Sequence, residues 1–336
     1  MNTSLPGSAG QAFNIGDAGS GGFRLFTFDA HIDTLLQLVH SGRSLADASG
    51  HVSLEKLRKG GVSAQVFAVF VEPDFYQGMA LHRALQMIDV FWQMIAEYPD
   101  DLAFADSGTA IRKSYQAGKI ACMLALEGGE ALQGSLANLR NLHRLGVRVL
   151  TLTWNYRNAL ANGQSEGDAS GGLSPFGREV IAEMNRLGML VDVSHLNEPG
   201  FWDVLEISGD PVIASHSCAR SLRDHGRNLT DRQIKALADK GGVIGVNFYP
   251  GFLTAGESAA LEDVLDHIEY LINVGGSDCV GLGSDYDGIN AVPDGLQDCS
   301  MMPTIAAGLE SRGHSLTVIE KIMGGNFLRI AESVLG

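Results

Sequence analysis

The 336 residues suffice for one large domain or two ordinary ones. A composition of 45% hydrophobic and 19% charged residues belongs to a globular chain with a sizeable core and excludes a disordered one. A net charge of −15 speaks against nucleic acid or an anionic membrane as partner, because either would need clustered Lys and Arg.

Residues 1–22 are small, polar and Gly-rich, and read as a flexible arm. They lack the basic start and apolar segment of a signal peptide. No run of about 18 apolar residues follows, and the terminal FLRIAESVLG is too short and polar for a membrane or lipid anchor. A soluble, cytoplasmic protein without a membrane partner is expected. Cys122, Cys218, Cys279 and Cys299 show no CxxC pairing and are expected as free thiols.

The first apolar run, RLFTFDAHIDT (24–34), carries Asp29, His31 and Asp33. In a strand, residues two apart project from one face, so His31 and Asp33 stand side by side, with Asp29 deeper as a structural hydrogen-bonding group. Seven further runs repeat one punctuation, a helical pattern ending in Gly and then a stretch rich in Val, Ile and Leu. In order they are RKGGVSAQVFAVFV, QAGKIACMLALEGG, RLGVRVLTLTW, RLGMLVDVSH, ISGDPVIASHS, DKGGVIGVNFY and VGGSDCVGLGSDYDG. Gly past a helix end supplies the left-handed closing residue. Near-continuous apolar strands are those of a parallel sheet buried on both faces.

Helices are expected between the runs. Residues 79–97 and 259–274 have apolar positions at three- and four-residue spacing. Residues 174–188 have Ser174 as N-cap, Pro175 in the first turn and Gly188 as the stop. Residues 155–173 form a long polar loop of the kind that is often functional. A final helix over 315–335 is expected to pack across the barrel. Eight strands alternating with helices predict an α/β fold, a (β/α)8 TIM barrel, as a single domain over 23–336. A doubly wound sheet would want a Gly-rich phosphate loop after the first strand, and FDAHIDTLL is not one.

The ionisable residues fall at one end of this pattern. His31, Asp33, Glu127, His195, His216 and Asp285 all close predicted strands, the end where barrel enzymes keep their active sites. Three imidazoles and three carboxylates suit a borderline metal such as Zn²⁺. Five protein ligands exceed what one tetrahedral catalytic zinc usually takes, which favours two Zn²⁺ per chain sharing a hydroxide that acts as nucleophile. His40, His51, His82, His143, His267 and His314 are read as structural histidines. Asp285-Tyr-Asp-Gly288 is not a calcium loop, since the required ligands at the fifth and twelfth positions are missing.

FDAHIDTL, LALEGGEAL, GLSPFGREVIAEMNRLGMLVDVSH, PVIASHSCARSLRDHGRN, GGVIGVNF, VGLGSDYDGI and GGNFLRI together resemble the membrane (renal) dipeptidase family of zinc peptidases, an amidohydrolase-like branch, from about residue 24 to 330. The resemblance implies a zinc dipeptidase acting on small dipeptides with a free C-terminal carboxylate, L-Xaa-D-Xaa as well as L,L. It implies that His31, Asp33 and Glu127 hold one zinc and that Glu127, His195 and His216 hold the other. Asp285 would accept the proton of the bridging water and pass it to the leaving amine, and Arg227 would bind the substrate carboxylate. Family members commonly form homodimers. One departure stands out: where renal-type members have a substrate-contacting His, this chain has Trp154 and Asn155 in LTLTWNYRN, so these two become candidate substrate-binding residues. The rivals are another metal hydrolase of the superfamily, such as a deaminase or lactonase, and a non-catalytic metal-binding homologue. Against the first, strand 1 carries HxD where those enzymes usually show HxH.

Overall fold

The computed structural model describes residues 25–336 apart from Ala48 and Glu257. The arm expected over 1–22 lies outside the described residues. Nine strands form one parallel sheet: β1 (Thr27–Ile32), β2 (Val62–Phe70), β3 (Leu102–Phe104), β4 (Ile120–Glu127), β5 (Val147–Thr151), β6 (Leu190–Asp192), β7 (Ile213–Ala214), β8 (Val243–Val246) and β9 (Val280–Leu282). The order β2-β1-β9-β8-β7-β6-β5-β4 closes through direct β2–β4 pairing into an eight-stranded (β/α)8 barrel. The ninth strand, β3, is an addition to the eight expected. It pairs with Ile120–Cys122 at the start of β4, on the edge that β5 takes over from Leu124 onward.

β4 is buried along its whole length and β2 along all but its last residue, as a doubly covered parallel sheet requires. Inside the barrel, Ala64, Val66, Met123, Val149, Leu190 and Ile213 pack with Phe28 and Phe327. A second apolar layer joins the strands to the surrounding helices. The three expected helices form as Ala80–Glu97, Pro175–Leu187 and Leu261–Gly275. Ser174 caps the second by accepting from the Gly177 N–H, and Gly188 ends it at φ 65°.

The final helix is not continuous. It runs Leu316–Glu320, passes through a wide turn at Lys321–Gly325, and resumes as Asn326–Val334. The cause is close approach. Any Cβ on Gly324 would collide with Phe26 and the backbone of Phe28, so the chain presses its own backbone against β1 at that point. Phe327 then covers Gly281, and the last segment closes the barrel against the starts of the strands. The opposite end is left open for loops. Among the described residues, no helix is long and apolar enough to cross a membrane.

Candidate metal centre and active site

The open mouth gathers the six strand-end residues. His31 lies in β1 and Asp33 directly follows it; Glu127 ends β4; His195, His216 and Asp285 stand just beyond β6, β7 and β9. The chain turns sharply as it leaves two of these strands. His195 has φ 66° and Asp285 has φ 63°, a left-handed backbone uncommon in residues other than glycine. Each such conformation costs of order 1–3 kcal/mol, and such strain clusters at functional sites.

Glu127 stands in the middle. Its Oε2 is 3.4 Å from His31 Nε2, and its Oε1 is 3.1 Å from His195 Nε2 and 3.7 Å from His216 Nε2. His31 Nε2 is also 3.4 Å from Asp33 Oδ2. One carboxylate thus turns an oxygen toward each of two donor groups. Donor atoms of His31, Glu127 and His216 lie within 4.8 Å of one another, as do those of His31, Asp33 and Asp285.

The donor chemistry fits a metal. His31 Nε2 and Asp33 Oδ1 are buried and have no hydrogen-bond partner among the described residues, a costly state unless a cation takes them up. Burial and the Arg227 charge lower His195 to about 4, and burial together with His31 holds His216 well below its ordinary value. Both imidazoles are therefore neutral at pH 7, the form that ligates metals. Their Nε2 atoms lie 2.8 Å apart, within hydrogen-bond distance, with the donor set by the tautomer. On the acidic side, burial and Glu127 raise Asp33 above the carboxylate range, and burial also raises Asp285. Burial opposes ionisation of Glu127 too, but the adjacent His31 and His195 hold it low.

Around this cluster, Asn247, which follows β8, donates from Nδ2 to Asp285 Oδ2 at 2.8 Å. Arg227 is 4% exposed; it donates to the His216 carbonyl at 3.1 Å, and its Nε has no partner among the described residues. Beside it lies a cavity of about 160 Å³ lined by His195, Arg227, Ser217 and Asn228 among others. On the other side of the mouth, the Trp154 ring packs 5.1 Å from Phe70, 5.6 Å from Tyr156 and 6.3 Å from His195. Asn155 Oδ1 lies 2.8 Å from His195 Nδ1.

Asp29 accepts from the Ser284 N–H and hydroxyl at 2.8 and 2.6 Å, a structural brace between β1 and the chain after β9. His267 is likewise structural, buried between the Ala219 N–H and the Leu253 carbonyl. Three participants have only weak signals in the sequence. Asn247 shows merely as a polar residue ending an apolar run, Phe70 is one more apolar residue in β2, and Gly288 is one glycine among 42. Yet a Cβ at Gly288 would strike Asp33 Oδ2 and Asp285 Oδ1, so only glycine lets the chain pass between those carboxylates.

The profile of the membrane dipeptidase family, peptidase family M19, matches residues 23–335. An uncharacterized dipeptidase of Schizosaccharomyces pombe is 40% identical over 298 residues, covering 84% of this chain and 72% of the relative. A dipeptidase of Claviceps purpurea, tcpJ, is 36% identical, covering 86% of this chain and 70% of the relative. Among solved structures, a family M19 metallopeptidase, dipeptidase AC, superposes with a TM-score of 0.88 at 29% identity, covering 94% of this chain and all of the other. A metallopeptidase of Rhodobacter sphaeroides, solved with a phosphinate mimic of the dipeptide L-Ala-D-Ala, superposes with a TM-score of 0.87 at 28% identity, covering 93% of this chain and 100% of the other.

Proposed function

The chain belongs to the membrane dipeptidase family, peptidase family M19, and is a metallo-dipeptidase; from that premise we propose that it uses two Zn²⁺ to hydrolyse dipeptides with a free C-terminal carboxylate, L-Xaa-D-Xaa as well as L,L. The observation that carries the proposal is Glu127, whose two oxygens turn toward two separate donor groups. In this reading His31, Asp33 and Glu127 would hold one ion, and Glu127, His195 and His216 the other. When bound, the metals supply Lewis acidity to the scissile carbonyl and make the attacking water acidic enough to lose its proton near neutral pH.

The remaining work falls to this chain's own side chains. The Arg227 guanidinium binds the substrate carboxylate, for which its planar fork is suited. It is buried, its Nε has no hydrogen-bond partner and no carboxylate forms an ion pair with it among the described residues, so it has charge to offer. Asp285 takes the proton of the attacking water and delivers it to the leaving amine. Asn247 occupies Oδ2, which leaves Oδ1 as the atom that moves the proton. Burial raises this carboxyl, which brings it nearer the working range of a general base. Trp154 and Asn155 border the mouth on the β5 side, where the aromatic ring excludes water and narrows the opening. The complex of the Rhodobacter sphaeroides relative with an L-Ala-D-Ala mimic supports a D-residue at the C-terminal position.

The test is hydrolysis of a panel of L,L- and L,D-dipeptides, with C-terminal amides as controls and bound metal quantified. Dipeptides should be cleaved and their amides poorly. A fully metal-loaded preparation that cleaves no member of the panel would sink the proposal.

A further inference from the structure

The two imidazoles beside Glu127 Oε1 are held from behind by different devices. Which nitrogen of a neutral imidazole carries the proton is set by what the other one touches. On His195, Nδ1 lies 2.8 Å from Asn155 Oδ1, and an amide oxygen can only accept. The proton therefore sits on Nδ1, and Nε2 keeps its lone pair. On His216, Nδ1 lies 2.7 Å from Ser215 Oγ. That hydroxyl has one proton, and it goes to Asp192 Oδ2 at 2.6 Å, so toward His216 it can only accept.

Asp192 is itself fixed. It is fully buried and also accepts from Thr151 Oγ1 at 2.6 Å, the Ser194 N–H at 3.0 Å and the Ser215 N–H at 2.9 Å. The relay Asp192–Ser215–His216 thus ties β5, β6 and β7 to one imidazole, while a loop amide past β5 serves the other.

We propose that Asn155 and the Ser215–Asp192 pair are positioning residues that lock His195 and His216 with Nδ1 protonated and both Nε2 lone pairs turned toward the metal side. The proposal rests on the reading of these histidines as metal ligands. It gives Asn155 a role through His195, distinct from direct contact with substrate.

The test measures zinc affinity by chelator competition for the parent chain and for Asn155→Leu, Asn155→Asp and Ser215→Ala. Loss of a partner behind a ligating histidine typically weakens metal binding by about 10–100-fold. Asn155→Leu and Ser215→Ala should each show a loss of that size. Asn155→Asp should stay near the parent, since its carboxylate oxygen still accepts from Nδ1–H. Ser215→Ala keeps the backbone N–H that braces Asp192, and Asn155 stands in a loop, so thermal unfolding of the metal-free variants should match the parent. In the zinc-loaded parent, nitrogen-15 spectra of the histidine rings should show Nδ1–H signals for both residues, with that of His195 exposed to solvent exchange in Asn155→Leu. Parent-like zinc affinity in Asn155→Leu, or Nδ1 coordination in the spectra, overturns the proposal. So does a raised KM for dipeptide at unchanged zinc affinity, which would make Asn155 a substrate contact. Because zinc affinity and the ring spectra follow metal and imidazole and not turnover, absence of peptidase activity leaves these two readouts decisive.

Discussion

Gly288 shows how little tolerance the site has at the level of single atoms. A methyl group there would push Asp33 and Asp285 apart. Gly288→Ala should therefore lower both bound metal and turnover while leaving the unfolding transition close to that of the parent; undiminished activity would show that the two carboxylates can move freely. Asp285 is the complementary case. Asp285→Asn preserves shape and the contact from Asn247 but removes the proposed proton acceptor, and general-base catalysis typically contributes about 10²–10⁴-fold. Turnover should fall by at least about 100-fold with metal content unchanged. A normal rate would remove Asp285 from the mechanism. The gathering of these residues at one mouth was legible in the sequence because six ionisable groups ending apolar strands form a pattern. Asn247 and Ser215 were not, because single polar residues at strand ends are common and the carboxylates they donate to, Asp285 and Asp192, come from other strands.

At the scale of elements, caps and ion pairs decide how firmly the frame is held. Ser174 accepts from the Gly177 N–H at 2.9 Å, and Ser174→Ala should cost about 1 kcal/mol in denaturant unfolding. Glu72, just past β2, holds Arg83 of helix Ala80–Glu97 through two hydrogen bonds, of 3.0 and 2.6 Å, and also meets His40 at 2.7 Å. Burial opposes ionisation of Glu72, but Arg83 and His40 outweigh it and hold the carboxyl below its ordinary 4.5. A depressed acid contributes stability that is present above the unfolded value and lost as pH falls through the folded one. Acidification below about 4.5 should thus destabilise the parent more than Glu72→Gln, as read from thermal midpoints across that window. Equal slopes would show that the pair does not govern acid stability. Helix boundaries were readable because Ser, Pro and Gly mark them chemically. β3 was not, because three residues carry no period, and only its pairing with β4 makes them a strand.

For the whole molecule, the consequence of the site is that stability and metal are linked. Asp33, Glu127 and Asp285 crowd one buried mouth with histidines as their near neighbours. A metal that binds only the folded state adds about 2.7 kcal/mol when present at 100 times its dissociation constant. Removing it with a chelator should lower the thermal midpoint by several degrees, and zinc should restore it. An unchanged midpoint after verified metal loss would show that the mouth is not a metal site.

The sequence by itself determined the barrel and the residues that line its mouth, because buried parallel strands need continuous apolar runs and charged groups can interrupt those runs only at their open ends. The tertiary structure alone decided which atoms meet: that Glu127 turns its two oxygens to different histidines, that Asn155 stands behind His195, and that the final helix breaks where Gly324 meets β1. These contacts join residues from separate strands and loops, and their geometry depends on closure and register of the whole barrel, which no local pattern encodes.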